Sequence, residues 1–146
     1  MFCFPCVRTV RNPLRSYILD INSKTLTDLG TLGGDSTIAH GINDAGQVVG
    51  ASRTAAGDWQ AFITGPNGVG MTELGTLGGD TSSASDINDA GQVVGSSDTG
   101  SGDLHAFITG PNGMGMTDLN SLVDLPAGIV LEHSANNLNQ RGFPRE

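Results

Sequence analysis

The chain is 146 residues long, with 22 glycines, 6 prolines, 37% hydrophobic residues and a formal net charge of −8. That length suffices for one ordinary hydrophobic core. The acidic balance argues against nucleic acid and anionic membrane surfaces as partners, and no apolar run of about 18 residues is present to cross a membrane as a helix.

The first sixteen residues stand apart. Arg8, Arg11, Arg15 and Lys24 lie near the start, whereas from Thr25 to Gln140 Arg53 is the one basic residue against thirteen acids. Cys3 and Cys6 form a CxxC in "MFCFPCVR". Zinc needs four ligands and no second CxxC exists, and a redox motif needs a βαβ context that is absent. The segment also lacks a continuous apolar stretch and a clean cleavage site, so it carries no convincing export signal. Residues 1–16 are expected to be a disordered leader, and 17–146 a single repeat domain.

From Thr27 the chain repeats itself. "TDLGTLGGD" at Thr27 returns as "TELGTLGGD" at Thr72, "INDAGQVVG" at Ile42 returns unchanged at Ile87, and "AFITGPNG" at Ala61 returns at Ala106. Between 27–71 and 72–116, 32 of 45 positions are identical, which is the mark of a repeat architecture. A third unit, 117–146, starts at Thr117 and departs, with "NLNQRG" from Asn137 standing where "GINDAG" stood. A half-unit, 17–26, precedes the first. The chain therefore reads as about three units cut short, a fragment of a larger repeat protein.

Each unit predicts four short strands. The first is "TSSASDIN". The turn "NDAG" follows, with Gly46 and Gly91 where a hairpin loop needs a left-handed residue. The second strand is "QVVGSS" and the third "AFIT". "GPNG" then forces a turn, Pro presetting one dihedral and Asn-Gly supplying positive φ. The fourth strand is "MTEL", and "GTLGGD" links to the next unit. Turns are thus placed at Asp44–Gly46, Pro66–Gly68, Asp89–Gly91 and Pro111–Gly113. Adjacent apolar residues, Val48 with Val49 and Phe62 with Ile63, point to opposite faces of their strands, so both faces of each sheet should be buried. Val48, Phe62, Ile63, Leu74, Val93, Phe107 and Ile108 are the expected core. The fold class is all-β: repeated four-stranded antiparallel sheets, β-propeller-like blades, about three in an incomplete ring. A β-solenoid is the alternative. Helices are excluded by the density of Gly and Pro and the lack of a 3.6-residue stripe.

These strings together resemble the HAF-family repeats, described as extracellular repeat proteins of bacteria. The naming triplet stands once, as His105-Ala106-Phe107, and the resemblance covers roughly Tyr17 to Gly142. It implies a secreted or surface protein with propeller-like repeat domains and no established activity. The chain departs from it in lacking a signal peptide and in its broken third unit.

No residue is assigned a catalytic, cofactor-binding or metal role. His40, His105 and His133 lie in no nucleophile or metal-spacing motif and read as strand-end or loop residues. Asp35 and Asp80, Asp44 and Asp89, and Asp58 and Asp103 sit on Gly-rich loops. They read as turn caps, with calcium as the alternative, because the DxDxDG loop and the nonapeptide repeat are both missing. GTLGG lacks the Lys and the helix of a phosphate cradle. Trp59, replaced by Leu104 in the next unit, reads as a packing residue rather than a sugar platform. The sequence thus predicts a non-enzymatic extracellular or surface scaffold, with a further copy of itself, a protein or a glycan as partner. A propeller-type hydrolase or lyase is the alternative. An enzyme should break repeat symmetry with unique polar residues at one end of a blade.

Overall fold

The computed structural model describes residues 6–10 and 13–131, with side chains from residue 13 onward. Cys3, the side chain of Cys6, His133 and the "NLNQRG" string lie outside the described residues. The strands are β1 (Cys6–Val10), β2 (Arg15–Asp20), β3 (Thr25–Asp28), β4 (Gly33–Ile42), β5 (Val48–Thr54), β6 (Trp59–Thr64), β7 (Met71–Gly75), β8 (Gly78–Ile87), β9 (Val93–Thr99), β10 (Leu104–Ile108) and β11 (Thr117–Asp118). They form three antiparallel sheets, ordered β1-β2-β3, β4-β5-β6-β7 and β8-β9-β10-β11. The fold is all-β, and the two full repeats each give one four-stranded sheet. Among the described residues no closed ring is formed, and no helix is long and apolar enough to cross a membrane.

The doubled valines explain how the sheets stack. Val48 and Phe62 join Ile18 and Leu29 in one apolar cluster, between the first and second sheets. Their sequence neighbours Val49 and Ile63 join Ala84, Ile87, Val93 and Phe107 in another, between the second and third. One residue along a strand turns the side chain to the other face, so the middle sheet has two buried faces. Burying side chains of this size stabilises by about 1.5–3 kcal/mol each.

The turns follow the expected chemistry. Gly46 and Gly91 have φ of +79° and +80°. In both GPNG turns Asn and Gly take positive φ, Asn67 at +58° and Asn112 at +57°. Gly50 and Gly95 are required for a different reason. A Cβ on Gly50 would lie 2.0 Å from the Ile38 carbonyl oxygen, and one on Gly95 would lie 2.1 Å from that of Ser83. The last letter of "INDAGQVVG" thus lets neighbouring backbones touch.

Four expectations differ from the structure. The link "GTLGGD" is mostly strand: β8 begins at Gly78, because Leu77 bridges Thr99 in parallel and the Thr76 hydroxyl donates to the Gly79 carbonyl at 2.8 Å. Leu74 and Ile108, expected in the core, are half-buried. Leu74 lies on β7, the edge strand of its sheet, and Ile108 faces away from the middle sheet. The fourth strand of the second unit shrinks to two residues, because the Asp118 carboxylate accepts from the Asn120 N–H and starts a helical turn. Finally, the 1–16 segment contributes β1, paired with β2 from Cys6↔Leu19 to Val10↔Arg15.

Candidate functional site

The repeated polar letters converge at one end of the stack. Within the first NDAG turn, the Asn43 amide donates to Gln47 Oε1 at 2.8 Å, and Asn43 Oδ1 accepts from the Gln47 N–H at 3.0 Å. Asn88 and Gln92 make the same two bonds, both at 2.9 Å. Asn43 Nδ2 also donates across the sheet junction to the Asn88 carbonyl at 3.0 Å, and the Asp44 N–H donates to Asp89 Oδ1 at 2.9 Å. The residues at a given position in consecutive units therefore bond to each other. Asn43 and Asn88 are buried, where an unpaired amide costs about 1–3 kcal/mol. That cost explains why the pair is written identically twice.

The GPNG loop of each unit closes on its own NDAG turn. Gly68 N–H donates to the Gly46 carbonyl at 2.9 Å and Gly113 N–H to that of Gly91 at 3.0 Å. Gln47 Nε2 reaches on to Asn112 Oδ1 of the next unit at 3.3 Å.

Between consecutive loop layers lies an open groove of about 610 Å³, lined by Gln47, Ile63, Gly65, Gly70, Thr72, Asn112 and neighbours. A smaller groove of about 190 Å³ sits at the preceding junction, lined by Ile18, Asp20, Thr25, Thr27 and Asn67 among others. Each of those five is 45 positions before a residue of the larger groove. The groove is thus itself a repeated feature. It narrows where Asp20 and Thr25 stand in place of Gly65 and Gly70. Val69 and Met114 stand exposed on the loops beside it.

The sequence-predicted residues distribute as follows. Asp44 and Asp89 are brought together at the sheet junction. The hydrogen bond to Asp89 and its like charge push the Asp44 carboxyl above its ordinary value. Asp35, Asp80, Asp58 and Asp103 are exposed and scattered. Among the described residues no three carboxylate, imidazole or thiol groups converge. His40 Nδ1 bonds the Ala84 carbonyl across the junction at 2.7 Å, a packing role. Trp59 is half-buried, with the Arg53 guanidinium 5.5 Å from its ring centroid, a cation–π pair.

His105 departs from repeat symmetry in its bonding. Its counterpart Gln60 is buried, donates to the Asp80 carbonyl at 2.7 Å and accepts from Ser82, both on the following sheet. His105 instead bonds Asp118 Oδ2 through Nδ1 at 2.7 Å. Burial pushes the Asp118 carboxyl up, but bonds from His105 and from the Asn120 backbone and amide outweigh it, leaving it below its ordinary value. Asn120 in turn holds Leu131, accepting from its N–H at 2.7 Å and donating to its carbonyl at 3.0 Å.

The asparagine–glutamine locks were missed in the sequence. Their signal was there: polar letters kept identical in both units at positions that neither alternation nor turn geometry demands. No protein-family model and no curated protein matches this chain.

Proposed function

We propose that this chain is a module of a bacterial extracellular or surface repeat scaffold of the HAF type. Its sheets serve as propeller-like blades, and it binds rather than transforms its ligand. The observation that carries this reading is the groove repeated at 45-residue spacing between consecutive loop layers. A site that recurs along a stack suits an extended polymer, a polysaccharide or an unfolded stretch of protein, better than one small molecule. The larger groove mixes apolar walls, Ile63 and Leu74, with polar groups, Gln47, Thr72 and Asn112. That mixture is common in ligand-binding clefts.

The test is a panel of immobilised bacterial and plant polysaccharides and unfolded polypeptides probed with the purified chain. Binding by one class, lost in Thr72→Trp, supports the reading. Thr72 is apt because it lines the groove and stands exposed on β7. Binding unaffected by this change would place the ligand elsewhere. For location, protease treatment of intact producing cells should remove the protein, and protection from it would contradict an outside position.

The His105–Asp118 pair favours the second reading, a hydrolase or lyase, because it breaks repeat symmetry with a histidine oriented by a carboxylate. Against it, no hydroxyl or thiol side chain among the described residues is bonded to the His105 ring. Chain-length loss in a bound polysaccharide, abolished by His105→Gln, would establish the enzyme.

A further inference from the structure

One cross-strand pair recurs in all three sheets. Tyr17 pairs with Asp28, Phe62 with Glu73 and Phe107 with Asp118, each pair 45 positions after the last. Two residues before each aromatic, on the same face of its strand, stand Arg15, Gln60 and His105. In the first sheet the Arg15 guanidinium meets Asp28 at 2.6 Å. In the third, His105 meets Asp118 at 2.7 Å. In the second sheet the acid has no such partner. Gln60 turns to the following sheet and donates to the Asp80 carbonyl at 2.7 Å. Glu73 is exposed on β7, and among the described residues nothing bonds its carboxylate.

That carboxylate opens onto the larger groove. Glu73 lines it and is the one ionisable group that does, whereas its engaged counterpart Asp28 does not line the smaller groove. The larger groove also runs along a strand edge. Thr72, Glu73 and Leu74 follow one another on β7 and all line it. Consecutive side chains point to opposite faces, so three in a row meet one groove where it borders the edge of the strand. β7 is the last strand of its sheet, and among the described residues nothing pairs with its outer edge. Such an edge is a row of unpaired N–H and C=O groups, to which an extended peptide adds as a further strand. None of the lining residues is aromatic, so the groove offers no ring face for a sugar to stack on. It offers instead Met114, 72% exposed, a pliable apolar group of the kind that adaptable peptide-binding surfaces use.

We propose that this groove takes an extended segment of another protein, paired with the outer edge of β7, with a lysine or arginine of that segment set on the Glu73 carboxylate. The proposal rests on the groove-binding reading above and gives it a ligand class. Charge supports it beyond the one contact: from Thr25 to Gln140 thirteen acids face one basic residue, a field that draws cationic segments in. In the first and third sheets the equivalent acid is already engaged by Arg15 or His105, so the cation site belongs to the middle sheet.

The experiment selects a display library of random short peptides on the immobilised full chain, with Glu73→Gln and Thr72→Trp chains in parallel. Partly deacetylated chitin oligomers serve as the cationic polysaccharide. Peptides recovered on the parent should be enriched in Lys and Arg. A recovered peptide should bind about fivefold more weakly once its Lys is replaced by Gln, and on Glu73→Gln that difference should vanish. N-methylation of alternate backbone nitrogens in the peptide should abolish binding, as strand addition requires; binding that tolerates it would overturn the pairing with β7. Recovered peptides without basic enrichment that still fail on Thr72→Trp would overturn the role of Glu73 and leave the groove reading intact. Chitin oligomers bound in place of any peptide, and lost in Thr72→Trp, would overturn the polypeptide and again leave the groove. A dimer of the chain itself that Thr72→Trp dissociates would give the groove to a second copy and overturn a foreign occupant. Peptides indifferent to Thr72→Trp, or a parent that binds neither probe, would sink the proposal and the groove reading together.

Discussion

The sheets 33–75 and 78–118 share most of their letters yet differ in what they touch. In the first, β6 has a following sheet to meet. Gln60 reaches Asp80 and Ser82, the Ala61 N–H finds the Ser82 hydroxyl, and Ile63 is 4% exposed. In the second, β10 meets the 119–131 segment instead. His105 turns to Asp118 within its own sheet, the Ala106 N–H takes a backbone carbonyl, and Ile108 is left half-buried. The inward faces show no such divergence: Phe62 and Phe107, like Val48 and Val93, are fully buried. Letter identity therefore guarantees the sheet and its inward face. The outward face depends on the neighbour, and there Gln60 has given way to His105.

The most disruptive way to probe this comparison is at the glycines where backbones touch. Gly50→Ala and Gly95→Ala each put a Cβ within about 2 Å of a carbonyl oxygen. Each should cost about 3 kcal/mol or more, and Gly95→Ala at least as much as Gly50→Ala, because its Cβ also meets the Phe107 ring at 2.8 Å. Chemical denaturation measures both; a negligible loss at either site would contradict the close backbone approach inside the sheet. Next comes the outward isoleucine. Ile63→Ala should cost about 2–5 kcal/mol, and Ile108→Ala clearly less. Equal losses by the same measurement would mean that the outer face of the third sheet is as well covered as the middle one. Then Gly46→Val and Gly91→Val should each cost about 1–3 kcal/mol. A β-branched residue resists φ near +80°, and a Cβ there meets Asn67 N or Asn112 N. Unchanged melting temperatures would contradict the left-handed turn.

The smallest effects depend on pH. Asp118 has its folded pKa lowered from 3.8. Its contribution is therefore fully present above about pH 4 and is lost as pH falls through the folded value. Asp44 runs the other way. Its folded pKa is raised by Asp89, so its ionised form is disfavoured in the fold, and acidification through that value relieves the strain. Asp118→Asn should flatten the acid-side fall in melting temperature, and Asp44→Asn should raise the melting temperature slightly at neutral pH. A parallel acid profile for Asp118→Asn and the parent would remove the His105 contact from the account.

Much of this fold was legible because two nearly identical units mark what matters. Paired valines announced two buried faces, and Asn-Gly and Asp-Ala-Gly announced the turns. The link "GTLGGD" was misread because its glycines look like loop. In the fold they let an extended chain pass close to the neighbouring strand, where a Cβ on Gly34 or Gly79 would lie within 3 Å of backbone. The groove was not legible at all. It is formed between units, by loops far apart in sequence, and no short motif records it. The His105–Asp118 pair was hidden for a related reason: histidine and aspartate stand thirteen positions apart, and only the pairing of β10 with β11 joins them.

Consecutive sheets are docked by one repeated set of contacts and so should stand or fall together. Native-state hydrogen exchange at the amides of Val49 and Val94 tests it most directly, since both residues are buried at the same position of their units. Amides that open in one cooperative unit share one opening free energy and one denaturant dependence. For Val49 and Val94 the two values should coincide. Exchange from Val94 at distinctly lower free energy, with its own denaturant slope, would mean that the third sheet opens by itself and that the repeated contacts do not bind the stack into one body.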